Sequence, residues 1–215
     1  MKYRLVIFDF DGTLANSFPW LTNIIDKLAE KFQFRPIHQS EHRLLRNYDA
    51  TKLLKHLGLP LWKAPLIGSH MRKQMAEDIH SIPMFEGVEN LLQKLAYNKI
   101  KMAIVSSNSV ENIRQVLGQE LMSLISQFEC GVSIFGKGPK LRKVLSTSGI
   151  SKRDSIYIGD EIRDIDAANH IGISSGAVSW GYNTVESLLA RHPSELFSSI
   201  EDLATKILAS DSINN

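Results

Sequence analysis

Cysteine is almost missing from this chain: there is one, Cys130, in 215 residues. A lone thiol excludes an intrachain disulfide framework and suits a reducing compartment. Its neighbours Phe128, Gly131 and Val132 point to a buried, unreactive thiol rather than a nucleophile. An excess of either charge is also missing. Lys and Arg number 25 against 23 Asp and Glu, a formal net charge of +2, with the signs interspersed and no long basic run. Such a surface argues against nucleic acid and anionic membranes as partners. No apolar run reaches the roughly 20 residues that cross a bilayer. The opening Met1-Lys2-Tyr3-Arg4 leads into a short strand containing acids, not a signal peptide. The expectation is a soluble cytoplasmic protein, monomer or homodimer.

What is present is enough apolar residue, 43%, for one sizeable core plus a smaller appendage. The stretch Tyr3 to Phe8 is a strongly apolar strand that runs into two acids, Asp9 and Asp11, separated by one residue. In extended chain, positions i and i+2 point the same way, so both carboxylates can face one centre. Gly12 then permits a sharp turn or a close approach. Two acids held together this way need a cation, or one of them stays protonated.

Between Ala15 and Ser81 the periodicity is helical throughout. Trp20, Leu21, Ile24, Ile25, Leu28 and Phe32 mark one helix. Leu44 to Leu57 mark a second, stopped by Gly58-Leu59-Pro60, and Lys63 to Ile79 a third. Arg43, Arg46, Arg72 and Lys73 lie in this block; each could meet an anionic group of a ligand, with a solvated face as the simpler role. Its histidines show no metal-ligand spacing. After a helix from Val88 to Leu95 the pattern alternates. Strands are expected at Lys101–Val105, Phe128–Phe135, Ser155–Ile158 and Ser174–Ser179. Helices are expected at Glu111–Leu117, Lys140–Leu145, Arg163–His170, Thr184–Ala190 and Ile200–Leu208. Alternation of this kind predicts an α/β fold: a Rossmann-like, doubly wound parallel sheet with an inserted all-helical domain. The boundaries expected are 1–14 and 84–215 for the α/β core and 15–83 for the helical insert.

In such sheets the site lies beyond the carboxyl ends of the strands, and polar residues follow each expected strand. Ser106, Ser107 and Asn108 follow Val105, a hydroxyl and amides suited to cradling phosphate. Asn108 with Glu111 also fits a capping box, and that is the role assigned to it. Gly131 to Lys137 spells most of a phosphate-binding loop, but position 138 is glycine where a hydroxyl should hold magnesium. Lys137 serves better as a counter-ion to the acids, with Lys140 second in line. Asp160 follows Ile158-Gly159, and Asp164 shares its face if the helix has begun. Glu161 and Asp166 are expected in solvent.

Asp9-Phe10-Asp11-Gly12-Thr13-Leu14, Ser106, Lys137-Gly138-x-x-Leu141 and Gly159-Asp160-x-x-x-Asp164, in that order, resemble the four motifs of the haloacid dehalogenase superfamily. Within it, the likeness is to phosphoglycolate-phosphatase-like enzymes with a small helical cap. Val178-Ser179-Trp180-Gly181-Tyr182-Asn183 looks like the same branch. The resemblance implies a magnesium-dependent phosphatase acting on a small phosphorylated metabolite. It makes Asp9 the nucleophile, Asp11 the acid and base, and Ser106, with Ser107 as neighbour, the phosphate-binding hydroxyl. Lys137 becomes the counter-ion. Asp9, Asp160 and the main-chain carbonyl of Asp11 become the magnesium ligands, supported by Asp164, Gly12 and Thr13. Displacing halide needs no proton for the leaving group, so Asp11 argues for phosphoryl transfer. A sugar-phosphate mutase uses the same residues, and a regulatory protein that keeps the fold without the chemistry is the reading from another class.

Overall fold

A computed structural model of the chain describes residues 2–131 and 136–209. Six parallel strands form its centre: β1 (Leu5–Phe8), β2 (Lys101–Val105), β3 (Gln127–Glu129), β4 (Ser155–Gly159), β5 (Ser174–Val178) and β6 (Glu195–Phe197). Their spatial order is β3-β2-β1-β4-β5-β6, so the chain starts mid-sheet and winds outward to both edges. β1 sits between β2 and β4, with Phe8 level with Ile104 and Ile158. A parallel strand covered on both faces reads as an unbroken apolar run, and Leu-Val-Ile-Phe is one, buried at every position.

The chain leaves β1 into a helical block before it builds the rest of the sheet. The block holds α1 (Phe18–Phe32), α2 (His42–Leu45), α3 (Ala50–His56) and α4 (Ala64–Glu77). α1 turns its Trp20, Ile24 and Leu28 inward, and the Trp20 indole donates to Asp78 Oδ2 at 2.9 Å, tying α1 to the end of α4. The expected single helix over Leu44–Leu57 is two. It breaks at Arg46–Asp49, where Asp49 takes an extended backbone and accepts from the Lys52 amide at 2.8 Å as the cap of α3. A short-range cap overrides the apolar period there. The two crossings between block and sheet run side by side: Asn16 N–H donates to Pro83 O at 2.8 Å and Phe85 N–H to Leu14 O at 3.0 Å.

The remaining helices, α5 (Val88–Tyr97), α6 (Val110–Leu124), α7 (Gly138–Ser148), α8 (Ile162–Ile171), α9 (Val185–Leu189) and α10 (Ile200–Leu208), clothe the sheet. Alternation along the strands sorts the side chains onto two faces. Val6, Phe8, Met102 and Ile104 join the core with α5, α6 and α10. Leu5, Ile7, Ala103 and Val105 join the one with α7 and α8. β3 is shorter than expected, ending at Glu129; Gly131 turns with φ +88° and donates to Asn108 O at 2.7 Å. Residues 132–135, assigned to the same strand by sequence, lie outside the described residues. α6 continues seven residues past Leu117 through Gly118, whose φ of 72° kinks it. β6 has no counterpart among the sequence expectations, because three residues between polar turns carry no periodic signal. No helix of the described residues is long and apolar enough to cross a membrane.

Ile104 is fully buried in a central strand. Ile104→Ala should cost about 2–5 kcal/mol through lost burial and a residual cavity. At roughly 2–4 °C per kcal/mol for this size, thermal unfolding should show a melting point lower by about 4–20 °C. A shift under a degree would contradict this packing.

Candidate active site

Because β1, β2 and β4 are adjacent and in register, the residues that leave their carboxyl ends arrive together. Asp9 follows β1, Ser106 follows β2 and Asp160 follows β4; all three are buried. Lys137 arrives from another direction, on the turn that starts α7. Its ammonium lies 2.6 Å from Asp9 Oδ2 and 2.5 Å from Asp164 Oδ1. The choice of Lys137 over Lys140 thus has a geometric basis. Lys140 instead donates to the carbonyls of Ser106, at 2.9 Å, and Gly131, holding two loops together.

Carboxylate oxygens of Asp9, Asp160 and Asp164 come within 4.8 Å of one another. Each is separately oriented. The Asp9 side chain accepts from the Phe10 amide at 2.7 Å. Asp160 accepts from the Thr13 hydroxyl at 2.9 Å and the Tyr182 amide at 2.8 Å. Asp164 accepts from the Tyr157 hydroxyl at 3.0 Å and, back across the first turn of α8, from the Glu161 amide at 3.1 Å. Gly12, at φ +77°, is required here: a Cβ would sit 2.2 Å from Asp160 Oδ2. Among these four side chains, three carboxylates oppose one ammonium, leaving two formal negative charges in a buried space. That surplus, on oxygen donors alone, fits a hard divalent cation.

The electrostatics agree. Burial pushes the Asp9 carboxyl from 3.8 up to about 7, against the pull of Lys137. Burial also raises Asp160 well above its ordinary value, with the negative charges of Glu161 and Asp9 adding to it. Burial pushes Asp164 upward too, but Lys137, Arg163 and its hydrogen bonds together outweigh it and leave the group below its usual value. The same two acids hold the Lys137 ammonium charged against the cost of its burial.

Asp11 stands apart from the three clustered carboxylates. It is half-buried, and it accepts from the Asn108 amide at 3.0 and 3.3 Å. Burial raises its carboxyl to about 6, moderated by hydrogen bonds from Ser17 and Asn108. The capping role expected for Asn108 is wrong: Ser109, with an extended backbone, caps α6 by accepting from the Asn112 amide. That frees Asn108 to reach Asp11. Its place two residues after Ser106, at a strand end, was the available signal. Ser106 Oγ accepts from the main-chain N–H of Asn108 at 3.1 Å, and Ser107 lines the cleft beside it.

The cleft, about 1700 Å³, separates the sheet's carboxyl edge from the helical block. Asp11, Asn108, Lys137 and Tyr182 line one wall, with Leu54, Ile67 and Met71 on the other. Of the four cations of the helical block singled out by sequence, Arg72 lines this cleft, Arg43 and Lys73 are exposed elsewhere, and Arg46 is bonded to the main chain. Asp166 is exposed as expected, while Glu161 is half-buried and paired with Arg163 at 2.6 Å. Cys130 is half-buried, its thiol pushed up to about 11 by burial, which keeps it unreactive. Tyr157 was assigned no role from sequence, Arg46 was expected on a solvated face or at a ligand's anionic group, and Trp180–Asn183 carried only a family likeness; each acts through main-chain or long-range contacts that spacing does not show.

A carboxyl raised in the folded state costs nothing below its unfolded pKa, and the cost grows until pH passes the folded value. For Asp11 and Asp9 that window runs from 3.8 to about 6 and about 7, and Asp160 shifts the same way. In EDTA, therefore, the melting temperature should fall between pH 5 and pH 8, and Asp160→Asn should flatten the fall. Melting curves equally steep in both proteins would show that the buried acids are not its source.

Comparison with known proteins identifies the family. The chain is 33% identical over 201 residues to a phosphoglycolate phosphatase of Synechococcus elongatus, covering 93% of this chain and 95% of that one. It is 23% identical over 219 residues to the pyrophosphatase PpaX of Anoxybacillus flavithermus, covering 94% and 96%. A crystal structure of a predicted phosphatase from Clostridium acetobutylicum shares the fold, with a TM-score of 0.80 at 22% identity over 97% of this chain and 99% of that one. The family model for haloacid dehalogenase-like hydrolases matches residues 6–178. The chain belongs to the haloacid dehalogenase-like hydrolases.

Proposed function

We propose that this chain is a magnesium-dependent phosphatase that hydrolyses a small phosphorylated metabolite, phosphoglycolate-like or a sugar phosphate, through an aspartyl-phosphate on Asp9. The reaction class, phosphoric monoester hydrolysis, follows from the hydrolase family and the 33%-identical phosphatase relative. The observation that carries the mechanism is the placement of Asp9. It is buried at a strand end, gripped by Lys137 at 2.6 Å, with a second acid two residues on.

Asp9, Asp160 and the main-chain carbonyl of Asp11 would hold magnesium, which supplies positive charge against the phosphoryl oxygens. Lys137 orients the Asp9 carboxylate for attack on phosphorus and offsets charge on the group in transfer. Ser106, with Ser107 beside it, binds the phosphoryl oxygens. Asp11, raised to about 6, carries a proton in part of the population near neutrality and gives it to the departing alkoxide. It then takes a proton from the water that opens the aspartyl-phosphate. Asn108 keeps the Asp11 carboxyl aimed into the cleft. Residues 1–14 and 84–215 make the catalytic core; residues 15–83 make the cap, which shields attack from water and selects the leaving group.

Purified protein should release inorganic phosphate from para-nitrophenyl phosphate and from phosphoglycolate only with magnesium. Asp9→Asn should lower kcat by on the order of 10³-fold or more. Asp11→Asn should lower it by roughly 10²- to 10⁴-fold for alkyl phosphates, and far less for para-nitrophenyl phosphate, whose leaving group needs no proton. Unchanged turnover in Asp9→Asn would refute the mechanism. Isomerised sugar phosphate without free phosphate would replace hydrolysis with a mutase.

A further inference from the structure

The chemistry above gives no task to the segment Trp180–Asn183, yet it is bound to both the cap and the acid cluster. Arg46 lies between α2 and α3. Its Nε donates to Tyr182 O and its Nη2 to Gly181 O, each at 2.8 Å. The next group along is the Tyr182 amide, which donates to Asp160 Oδ2 at 2.8 Å. Asn183, buried, ties the two sides again. Its Nδ2 donates to the carbonyls of Arg46 at 2.6 Å and Tyr48 at 3.1 Å, while its Oδ1 accepts from the Ile162 amide at 2.8 Å. The Thr184 amide returns to Arg46 O at 3.1 Å.

The fit is close. A Cβ on Gly181 would lie 2.1 Å from Asp160 Cβ, so the peptide is pressed against that acid. The Arg46 guanidinium stands 5.2 Å from the Phe18 ring, which meets the Tyr182 ring at 5.4 Å. The hydroxyls of Tyr182 and Ser17 share a 2.9 Å hydrogen bond. A planar fork reaching two consecutive carbonyls is a task for arginine; lysine offers one point of attachment.

We propose that Arg46 is a positioning residue for the cation site. From the cap it holds the Gly181–Tyr182 peptide in place, and that peptide holds the Asp160 carboxylate. This rests on the magnesium reading above. Groups that orient a metal ligand are worth roughly 10- to 100-fold in metal affinity. Two of its donors, Nε and Nη2, are used on main-chain oxygens, and Arg46 does not line the cleft, which favours positioning over substrate binding.

Magnesium binding by isothermal titration calorimetry, with kcat and KM measured alongside, tests this on the full chain. Arg46→Met keeps the stem and removes the donors; it should weaken magnesium binding about tenfold or more. KM for substrate at saturating magnesium should change little. Arg46→Lys should fall between Arg46→Met and wild type, and it carries the test alone if Arg46→Met does not fold. Unchanged magnesium affinity in a folded variant, with only a lower melting point, would overturn the proposal and leave Arg46 a structural tie. A raised KM with unchanged magnesium affinity would overturn it in favour of substrate binding. Wild-type protein that binds no magnesium would overturn the metal reading itself, and this inference with it.

Discussion

The rest of the molecule is arranged around one buried ammonium. Lys137 is buried and touches two carboxylates at 2.6 and 2.5 Å. Taking any of these charges out of water alone would be prohibitive. Held together and hydrogen-bonded, the group is tolerable, though still short of positive charge once Asp160 is counted. Burial, with neighbouring acids adding to it, keeps Asp9 and Asp160 raised, and the uncompensated oxygens suit a divalent cation. A fully neutralised core would be easier to fold and would bind nothing.

Holding that imbalance takes a rigid frame, which the parallel sheet supplies. Three adjacent strands deliver Asp9, Ser106 and Asp160 to one edge, and α7 swings Lys137 across from the side. The frame is closed by contacts from outside the sheet. Thr13 and Tyr182 fix Asp160, and Tyr157 fixes Asp164. Among the described residues the cap is bound in at the paired linkers near Asn16 and Pro83, through the Arg46–Asn183 network, and at α4, where Asn108 and Asn112 donate to Met75 Sδ and Arg72 O, each at 3.0 Å. Motion of the cap as a free body about the linkers would break the second set, so the α2–α3 junction moves with the sheet or disrupts it.

Much of the fold could be read from periodicity, because β1, β2, β4 and α5 carry patterns long and apolar enough to admit one reading. Failures came where local chemistry overrode the period. Asp49 splits a helix in two by capping, Gly131 ends β3 early, and β6 is too short to signal itself. Asn108 shows the same contest at the site. Its spacing to Glu111 suggested a cap, but Ser109 adopted the extended backbone a cap requires and left Asn108 to Asp11.

By itself the sequence determined which residue types stand at each strand's end and in what order. Alternating strand and helix puts those ends on one edge of a parallel sheet whatever the details of the loops. Only the tertiary structure decided which groups touch. It placed Lys137 rather than Lys140 on Asp9, gathered Asp164 with Asp9 and Asp160 while Asp11 turned to Asn108, and spent Arg46 on two carbonyls far along the chain. These outcomes depend on ångström-scale competition between hydrogen bonds across more than a hundred residues of chain, and a linear pattern has no record of that.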